Sequence, residues 1–381
     1  MSWQCVPWPR GSSCHRHDVR RVEALRSALA ADGRAASMLV SDPSNIRWLT
    51  GFTGSSGSVV ITAGRVVLVT DGRYTDQARR QLDDVGLGDA EVVTAMSAAA
   101  MDAEVARLAD GEAVGAEAAR LSHARWAALA EHASPVAADG LLEGLRRHKT
   151  TDEVAMMERA ASIASAALAE VAPMLVAGVR ERDIRDELEY RMRRLGADGP
   201  SYETIVASGP DHAARPHQRP TDRELCEGDW VIIDVGALLH GYHSDMTRTF
   251  CVGAPSAEQL RWYTAVAESQ AAGLAAVGDG VPAREVDAAC REVLEAHGLG
   301  EFFIHGTGHG VGLDIHEDPF VARTSAAILR TGDVVTLEPG AYRVGTGGVR
   351  IEDLVLVNDD GHRPLTSFPK DDPCPPSPPT I

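Results

Sequence analysis

Apolar and polar positions follow two different patterns on either side of about residue 150. Between residues 19 and 145, short β-branched runs such as SMLVSD, GSVVIT, RVVLVTD and AEVVTA alternate with segments of helical periodicity such as YTDQARRQL and HARWAALAEHA. This alternation is typical of an α/β domain. We therefore predict a first domain of the α/β class over residues 18–147, and find no catalytic cluster in it.

The sequence that follows predicts a second domain over residues 148–368. Thr151, followed by Asp152 and Glu153, is typical of a helix N-cap and first turn. Four helices are expected, at about 152–171, 181–195, 257–277 and 283–297. Strand-like runs lie between and after them: YETIVASG, WVIIDVG, DMTRTFCVG, VVTLEPGAY and VRIEDLVLVN. The irregular residues 1–17 and the proline-rich residues 369–381 predict unpacked tails.

Composition excludes several classes of function. Lys and Arg (37) are outnumbered by Asp and Glu (55), which gives a net charge of −18 and makes binding to nucleic acid or anionic membranes unfavourable. No apolar run reaches about 18 residues, and the first residues lack the apolar core of a signal peptide. The six cysteines form no CxxC pair, so neither a disulfide framework nor a thiolate zinc site is indicated. We expect a cytoplasmic protein without membrane or nucleic-acid partners.

Two aspartates lie in neighbouring apolar runs of WVIIDVGALLHGYHSDMTRTF. A turn centred between residues 239 and 240 would make Asp234 and Asp245 cross-strand partners, with Cβ atoms about 4.5 to 5.5 Å apart. Two carboxylates at that distance need a cation or a shared proton. The alternative is that each aspartate serves only a turn or the end of a strand.

A glycine-rich segment, FFIHGTGHGVGLDIHEDP, carries His305, His309 and His316. Four glycines in this segment disfavour a helix, so the imidazoles are expected on an open loop where backbone can approach closely. Histidines facing solvent from ordinary turns are the alternative.

Two glutamates are predicted inside strands, Glu338 in VVTLEPG and Glu352 in GVRIEDLVLV. A buried ion pair between Arg350 and Glu352 is an alternative for the second one, but it does not account for Glu338. Because burial of four carboxylates without counter-charge would be prohibitive, a pair of divalent cations is expected. Oxygen ligands with a single imidazole favour Mn²⁺, while Co²⁺, Fe²⁺ and Zn²⁺ stay open.

These motifs resemble those of the pita-bread metallopeptidases, which include methionine aminopeptidases, Xaa-Pro aminopeptidases and Xaa-Pro dipeptidases. The resemblance implies a pita-bread α+β catalytic domain with five metal ligands. They fall on Asp234 in IIDVGA, Asp245 in GYHSDMTRTF, His309 in GTGHGVG, Glu338 in LEPG and Glu352 in GVRIED. NIRWLTGFTGSSG and TDGRYTDQA are also similar to the creatinase-like N-terminal domain of the proline-specific branch.

The same resemblance implies roles for further residues. Glu338 would accept and later donate a proton for a water or hydroxide held between two ions. His316 and His217, the latter in ARPHQRPTD, would stabilise the carbonyl oxygen and bind the residue after the scissile bond. His305 would line the pocket for proline, and Arg350 would orient Glu352 and the substrate.

The function implied is that of an Xaa-Pro aminopeptidase, which releases the N-terminal residue from peptides with proline at the second position. A homodimer is implied by the resemblance alone. An Xaa-Pro dipeptidase would share every residue named above, so it stays open. A non-catalytic binding module of the same fold is disfavoured, because its mark would be missing ligands and all five are present.

Overall fold

The computed structural model describes residues 17–109 and 113–375. Two compact units divide the chain between Arg146 and Arg147. The tails predicted at 1–17 and 369–381 lie outside the described residues except for His17 and residues 369–375. Among the helices of the described ranges, none is both long and apolar enough to cross a membrane.

The first unit is built on one mixed sheet. Its strands are β1 (Ser37–Val40), β2 (Gly57–Ile61), β3 (Val66–Asp71), β4 (Glu91–Ala95), β5 (Ala113–Ala116) and β6 (Ser134–Ala137). They lie in the order β4-β3-β2-β1-β5-β6. The β1–β2 and β2–β3 pairs are antiparallel and the others parallel. The four β-branched runs predicted as strands are β1 to β4.

Within residues 17–109 and 113–147, six helices accompany this sheet: α1 (His17–Asp32), α2 (Pro43–Thr50), α3 (Thr75–Asp84), α4 (Ala98–Ala109), α5 (His123–Ala130) and α6 (Leu141–Arg147). Val67, Val69 and Val114 of the strands pack with Val105 and Leu129 of the helices in a single apolar cluster. This arrangement confirms the α/β class predicted from the alternating pattern.

In the second unit the long helices are α7 (Thr151–Val171), α8 (Glu181–Arg194), α10 (Ala257–Ala276) and α11 (Ala283–Ala296), and α9 is the short Gly209–His212. The long helices agree with the predicted ones to within a residue at each end. The N-cap of α7 is Thr150, however, and not Thr151. Thr150 Oγ accepts from the backbone N–H of Glu153, and the Glu153 carboxylate accepts from the N–H of Thr150. The T-x-x-E spacing of this reciprocal capping box starts one residue earlier than predicted.

The described part of the second unit also contains thirteen strands: β7 (Gly199–Pro200), β8 (Ile205–Ser208), β9 (Trp230–Asp234), β10 (Ala237–Leu239), β11 (Tyr242–His243), β12 (Thr247–Cys251), β13 (Gly308–Gly310), β14 (Glu317–Val321), β15 (Val334–Leu337), β16 (Gly340–Arg343), β17 (Gly347–Arg350), β18 (Asp353–Asn358) and β19 (Gly361–Pro364). Their sheets have the orders β11-β10-β7, β12-β9-β8, β14-β13-β15-β18-β19 and β16-β17. Apolar side chains of α7 and α8 pack with those of β9 in one large cluster.

One antiparallel ribbon, defined here as the aspartate ribbon, comprises β9, β10, β11 and β12. The β9–β12 and β10–β11 ladders share one register, but they belong to different sheets. The ribbon turns at His240 and Gly241, which both have positive φ, as a two-residue hairpin requires. Its break lies at Val235 and Gly236, where the chain passes from one sheet to the other.

A second ribbon, the glutamate ribbon, has the same construction from β15, β16, β17 and β18. The β15–β18 and β16–β17 ladders again share a register and lie in different sheets. The ladder is interrupted at Glu338 and Pro339, since proline has no N–H to donate. Each ribbon therefore passes from one sheet to another at an interruption next to two of the acidic residues singled out in the sequence.

Residues beyond 368 are packed against the second unit as far as Pro373, in contrast to the predicted tail. The Lys370 ammonium donates to Gln270 Oε1 at 2.7 Å. The Lys370 carbonyl accepts from the Tyr263 hydroxyl at 3.0 Å, and the Pro373 carbonyl accepts from the Cys251 N–H at 2.8 Å. Specific polar partners outweigh the high proline content here, since proline leaves its carbonyl free to accept.

Candidate metal centre

Asp234 and Asp245 lie on either side of the break in the aspartate ribbon. Asp234 ends β9 and faces Thr247, so the prediction that the two aspartates face each other directly is wrong. The hairpin is centred between His240 and Gly241, one residue later than predicted, which moves the partner of Asp234 by two positions. The two strands are very close at the break, since a Cβ on Gly236 would lie 2.0 Å from the Ser244 carbonyl oxygen.

A partly buried tyrosine nevertheless joins the two aspartates. The Tyr202 hydroxyl lies 2.5 Å from Asp234 Oδ1 and within hydrogen-bonding distance of Asp245 Oδ1. Burial raises the pKa of this phenol well above 10, and the two aspartate charges raise it further. Tyr202 therefore stays protonated and holds one oxygen of each carboxylate at the same point.

Glu338 and Glu352 face each other across the break in the glutamate ribbon, because the ladders on both sides share a register. The apolar runs had predicted both glutamates inside strands, which is wrong. Glu338 lies between β15 and β16, and Glu352 lies between β17 and β18. Thr247 Oγ1 of the aspartate ribbon donates to Glu352 Oε2 at 2.7 Å. The Thr247 carbonyl accepts from the Glu352 N–H, so the two ribbons meet at these residues.

His309 lies in the short strand β13 and is buried, not on the open loop predicted. A Cβ on Gly308 would lie 1.9 Å from the Thr336 carbonyl oxygen, so glycine lets β13 enter the sheet this closely. His309 Nδ1 donates to the Gly310 carbonyl at 3.0 Å, which leaves Nε2 with a free lone pair. Nε2 lies 3.7 Å from Asp245 Oδ2 and 3.6 Å from Glu338 Oε1.

The donor set fits a divalent cation. Asp245, His309 and Glu352 each offer a ligand atom within 4.8 Å of the others. Burial, then neighbouring carboxylate charge, raises the pKa of Asp245 and Glu352 well above the usual range, and burial raises that of Glu338 to about 8. Burial lowers the pKa of His309 to about 4, so its imidazole is neutral and free to ligate. Carboxylates that resist ionisation in the protein alone become favourable once a cation balances them.

Arg350 is buried and binds the aspartate ribbon. Its Nη2 donates to Asp234 Oδ2 at 2.7 Å and its Nε to Thr247 Oγ1 at 3.0 Å. Its Nη1 donates to the Tyr342 hydroxyl at 3.0 Å and to the Pro216 carbonyl at 3.2 Å. The expected contact with Glu352 is therefore replaced by one with Asp234, because the end of β17 points the guanidinium across to β9.

The remaining predicted histidines lie around this cluster. The His316 ring is 4.3 Å from the His309 ring, centroid to centroid. Burial lowers the pKa of His316, and the nearby His217 imidazole lowers it further. His305 Nε2 lies 2.9 Å from the Tyr342 hydroxyl oxygen, and burial lowers its pKa to about 4. The fold thus brings His217 and His316, from two distant segments, close enough for their imidazoles to interact.

Several residues of the site carried no signal in the sequence. Tyr202 and Tyr342 are ordinary aromatic residues near strand ends, and only their contacts distinguish them. No role was predicted for His212 and His243, yet both are partly buried. His212 Nδ1 bonds the buried Glu181 carboxylate at 2.9 Å, and burial lowers the pKa of His243 to about 4.

Comparisons with known proteins match both parts of the chain. Residues 155–359 match the model of metallopeptidase family M24, and residues 21–148 match the creatinase/prolidase N-terminal domain. The chain is 37% identical to the uncharacterized peptidase YqhT of Bacillus subtilis over 93% of this chain and 98% of that protein.

Solved structures are similar over nearly the whole chain. The Xaa-Pro dipeptidase from Bacillus anthracis superposes with a TM-score of 0.87 at 37% identity, covering 93% of this chain and 99% of that one. The X-Pro aminopeptidase from Thermotoga maritima gives a TM-score of 0.82 at 30% identity, covering 91% and 99%. These matches confirm the predicted fold, a creatinase-like α/β domain followed by a pita-bread catalytic domain.

Proposed function

Because the chain belongs to metallopeptidase family M24, we propose that it hydrolyses the peptide bond that precedes a proline residue. The observation that carries this proposal is the convergence of two carboxylates from each ribbon with the Nε2 atom of His309. Relatives named as Xaa-Pro dipeptidase and X-Pro aminopeptidase support the choice of bond.

Two divalent ions, with Mn²⁺ first among the candidates, are the proposed cofactor. Asp234, Asp245, His309, Glu338 and Glu352 would hold them. The oxygen-rich donor set with one imidazole favours Mn²⁺ over the other first-row ions named above. When bound, such ions polarise the scissile carbonyl and lower the pKa of water into the neutral range.

The side chains around this cluster would handle the substrate. Glu338 lies at the break in its ribbon with Oε1 facing His309, so it is placed to accept a proton from attacking water and return it to the leaving nitrogen. His316 and His217 would bind the carbonyl oxygen and the residue after the scissile bond. His305, held by Tyr342, would line the pocket for proline.

Arg350 has a positioning role in this proposal. Its guanidinium joins Asp234 to Tyr342 and to the Pro216 carbonyl, one residue before His217. It would orient the substrate through these groups. An ammonium group at this position could not span the same partners, because only the planar guanidinium offers several fixed donors.

Two versions of the proposed function differ in the length of the peptide that the enzyme accepts. We propose an aminopeptidase, as the sequence predicts, which would accept Ala-Pro-Ala as well as longer peptides. A strict dipeptidase is the second candidate, and it is favoured by the name of the Bacillus anthracis relative. Initial rates on Ala-Pro and Ala-Pro-Ala, measured with the same enzyme preparation, separate the two versions.

The test of the function itself uses Mn²⁺-loaded protein and the peptides Ala-Pro-Ala and Ala-Ala-Ala. We expect release of alanine from the first peptide only, and loss of that release after chelation with recovery on Mn²⁺ addition. Hydrolysis that persists in the chelated protein would contradict the metal proposal. Equal rates on both peptides would contradict the selectivity for proline.

Two further properties stay predictions. A homodimer is expected, and light scattering on the metal-loaded protein measures it directly. A cytoplasmic location is expected from the cysteine pattern. Fractionation of cells that express the protein checks the location.

A further inference from the structure

The segment that carries His217 has little regular structure of its own. Residues 213–220, defined here as the histidine segment, connect α9 to Thr221 and include Pro216 and Pro220. At its middle, the Pro216 carbonyl accepts from Arg350 Nη1 at 3.2 Å. A loop of this kind can hold an imidazole in one place only if its two ends are also fixed.

A single buried carboxylate binds both ends of the histidine segment. Glu181, the first residue of α8, has a fully buried side chain. Its Oε1 accepts from the Ser208 N–H at 2.8 Å, from the Ser208 hydroxyl at 2.7 Å and from His212 Nδ1 at 2.9 Å. Its Oε2 accepts from the Thr221 N–H at 3.0 Å and from the Thr221 hydroxyl at 2.9 Å. Ser208 and His212 precede the segment, and Thr221 follows it.

The chemistry of this contact requires a carboxylate. An ionised carboxylate only accepts hydrogen bonds, and here every neighbour donates, including two backbone N–H groups. An amide of the same shape would turn an NH₂ group toward one of these donors and leave buried groups unpaired. The position at the start of α8 also favours a negative charge.

We propose that Glu181 is a positioning residue, which closes the histidine segment and thereby fixes the imidazole of His217 for substrate binding. The inference rests on the proposed function, because it acts through the role given to His217. A displacement of a substrate-binding group by about 1 Å costs up to about 100-fold in rate. We therefore expect Glu181→Gln to lower kcat/KM on Ala-Pro-Ala by about 10- to 100-fold.

Two comparisons distinguish a positioning role of Glu181 from a general loss of protein stability. Glu117→Gln is the matched control, because Glu117 is also buried and accepts from the N–H groups of Ser41 and Asp42 and from Asn45 Nδ2, within the first unit. We expect it to lower thermal stability but to change kcat/KM less than twofold. Calorimetric titration with Mn²⁺ should give the same affinity for Glu181→Gln as for wild type, since Glu181 contacts none of the proposed ligands.

The decisive measurement is a double-mutant cycle with His217→Ala. If Glu181 acts through His217, Glu181→Gln has no further effect on kcat/KM in the His217→Ala protein, and both single variants divide their loss between kcat and KM in the same way. Independent, multiplicative losses would overturn the inference while leaving the proposed function intact. Wild-type activity of His217→Ala would overturn the role of His217 and, with it, the inference.

A milder variant covers the case in which Glu181→Gln fails to fold. Thr221→Val removes the hydroxyl at the far end of the segment, which donates to Glu181 Oε2 and accepts from the Arg223 N–H, and it leaves the carboxylate in place. We expect a three- to tenfold loss of kcat/KM, which corresponds to about 0.7 to 1.4 kcal/mol. Activity within a factor of 1.5 of wild type in Thr221→Val, with unchanged Mn²⁺ affinity, would also overturn the inference.

Discussion

Removal of metal should make the stability of this protein fall as the pH rises above neutrality. Burial raises the pKa of Glu338 from 4.5 to about 8. A carboxyl group with a raised pKa in the folded state binds more protons there than in the unfolded chain. Its contribution to the free energy of unfolding is therefore present at low pH and is lost as the pH rises through the folded pKa. For Glu338 alone, the free energy of unfolding should fall by about 1.4 kcal/mol between pH 7 and pH 9.

The choice of pH window follows from the histidines. Burial lowers the pKa of His305 and His309 from 6.5 to about 4. Their contribution to the free energy of unfolding is therefore present above pH 6.5 and is lost as the pH falls. Below neutrality these histidines oppose the effect of Glu338, whereas above pH 7 they are nearly neutral in both states. The range from 7 to 9 therefore isolates the carboxyl contribution.

Denaturant unfolding of chelated protein at several pH values between 7 and 9 measures this slope. Glu338→Gln is the control, since it removes the titrating group together with the charge that raises the pKa of Asp245 and Glu352. The wild-type slope should exceed that of the variant by about 1.4 kcal/mol over the range, and saturating Mn²⁺ should abolish the difference. Equal slopes in the two chelated proteins would refute the reasoning.

Three further predictions concern single side chains. Tyr202→Phe removes the hydroxyl that touches both aspartates, so Mn²⁺ affinity measured by calorimetry should fall about tenfold; unchanged affinity would show that the hydroxyl does not orient them. Arg350→Lys cannot keep the contacts to Asp234 and Tyr342, and kcat/KM should fall about 100-fold. The exposed Arg343→Lys is its control. Thr150→Ala should lower the free energy of unfolding by about 1 kcal/mol, whereas Thr151→Ala should not, because only Thr150 caps α7; the reverse order would contradict the observed cap.

Much of the architecture was predictable from periodicity. The four long helices of the second unit and the first four strands of the first unit agree with their sequence patterns within a few residues. The short strands β5 and β6 were missed, because AVGA and SPVA contain too few apolar positions to show alternation. Local pattern was thus sufficient for long elements and for the apolar four-residue strand β1, and it failed for β5 and β6, which have a single β-branched residue each.

The site was predictable as a set of residue types but not as a geometry. Their position in apolar runs identified Asp234, Asp245, Glu338 and Glu352 as candidates. The same runs predicted continuous strands, so the interruptions of the ladders beside these residues could not be predicted. A hairpin centre misplaced by one residue gave Asp245 as the partner of Asp234, where the ladder has Thr247. Contacts between distant segments, such as that of Tyr202, have no local signature at all.

The packed residues after 368 contact the glutamate ribbon from a distant part of the sequence. Asp353, adjacent to Glu352, binds Arg248 at 2.8 Å and also the Lys370 ammonium. Proteolytic trimming that removed Lys370 would leave Asp353 with one cation fewer, beside a group that already resists ionisation. Loss of the Lys370 contact would therefore act at the start of β18, directly beside Glu352.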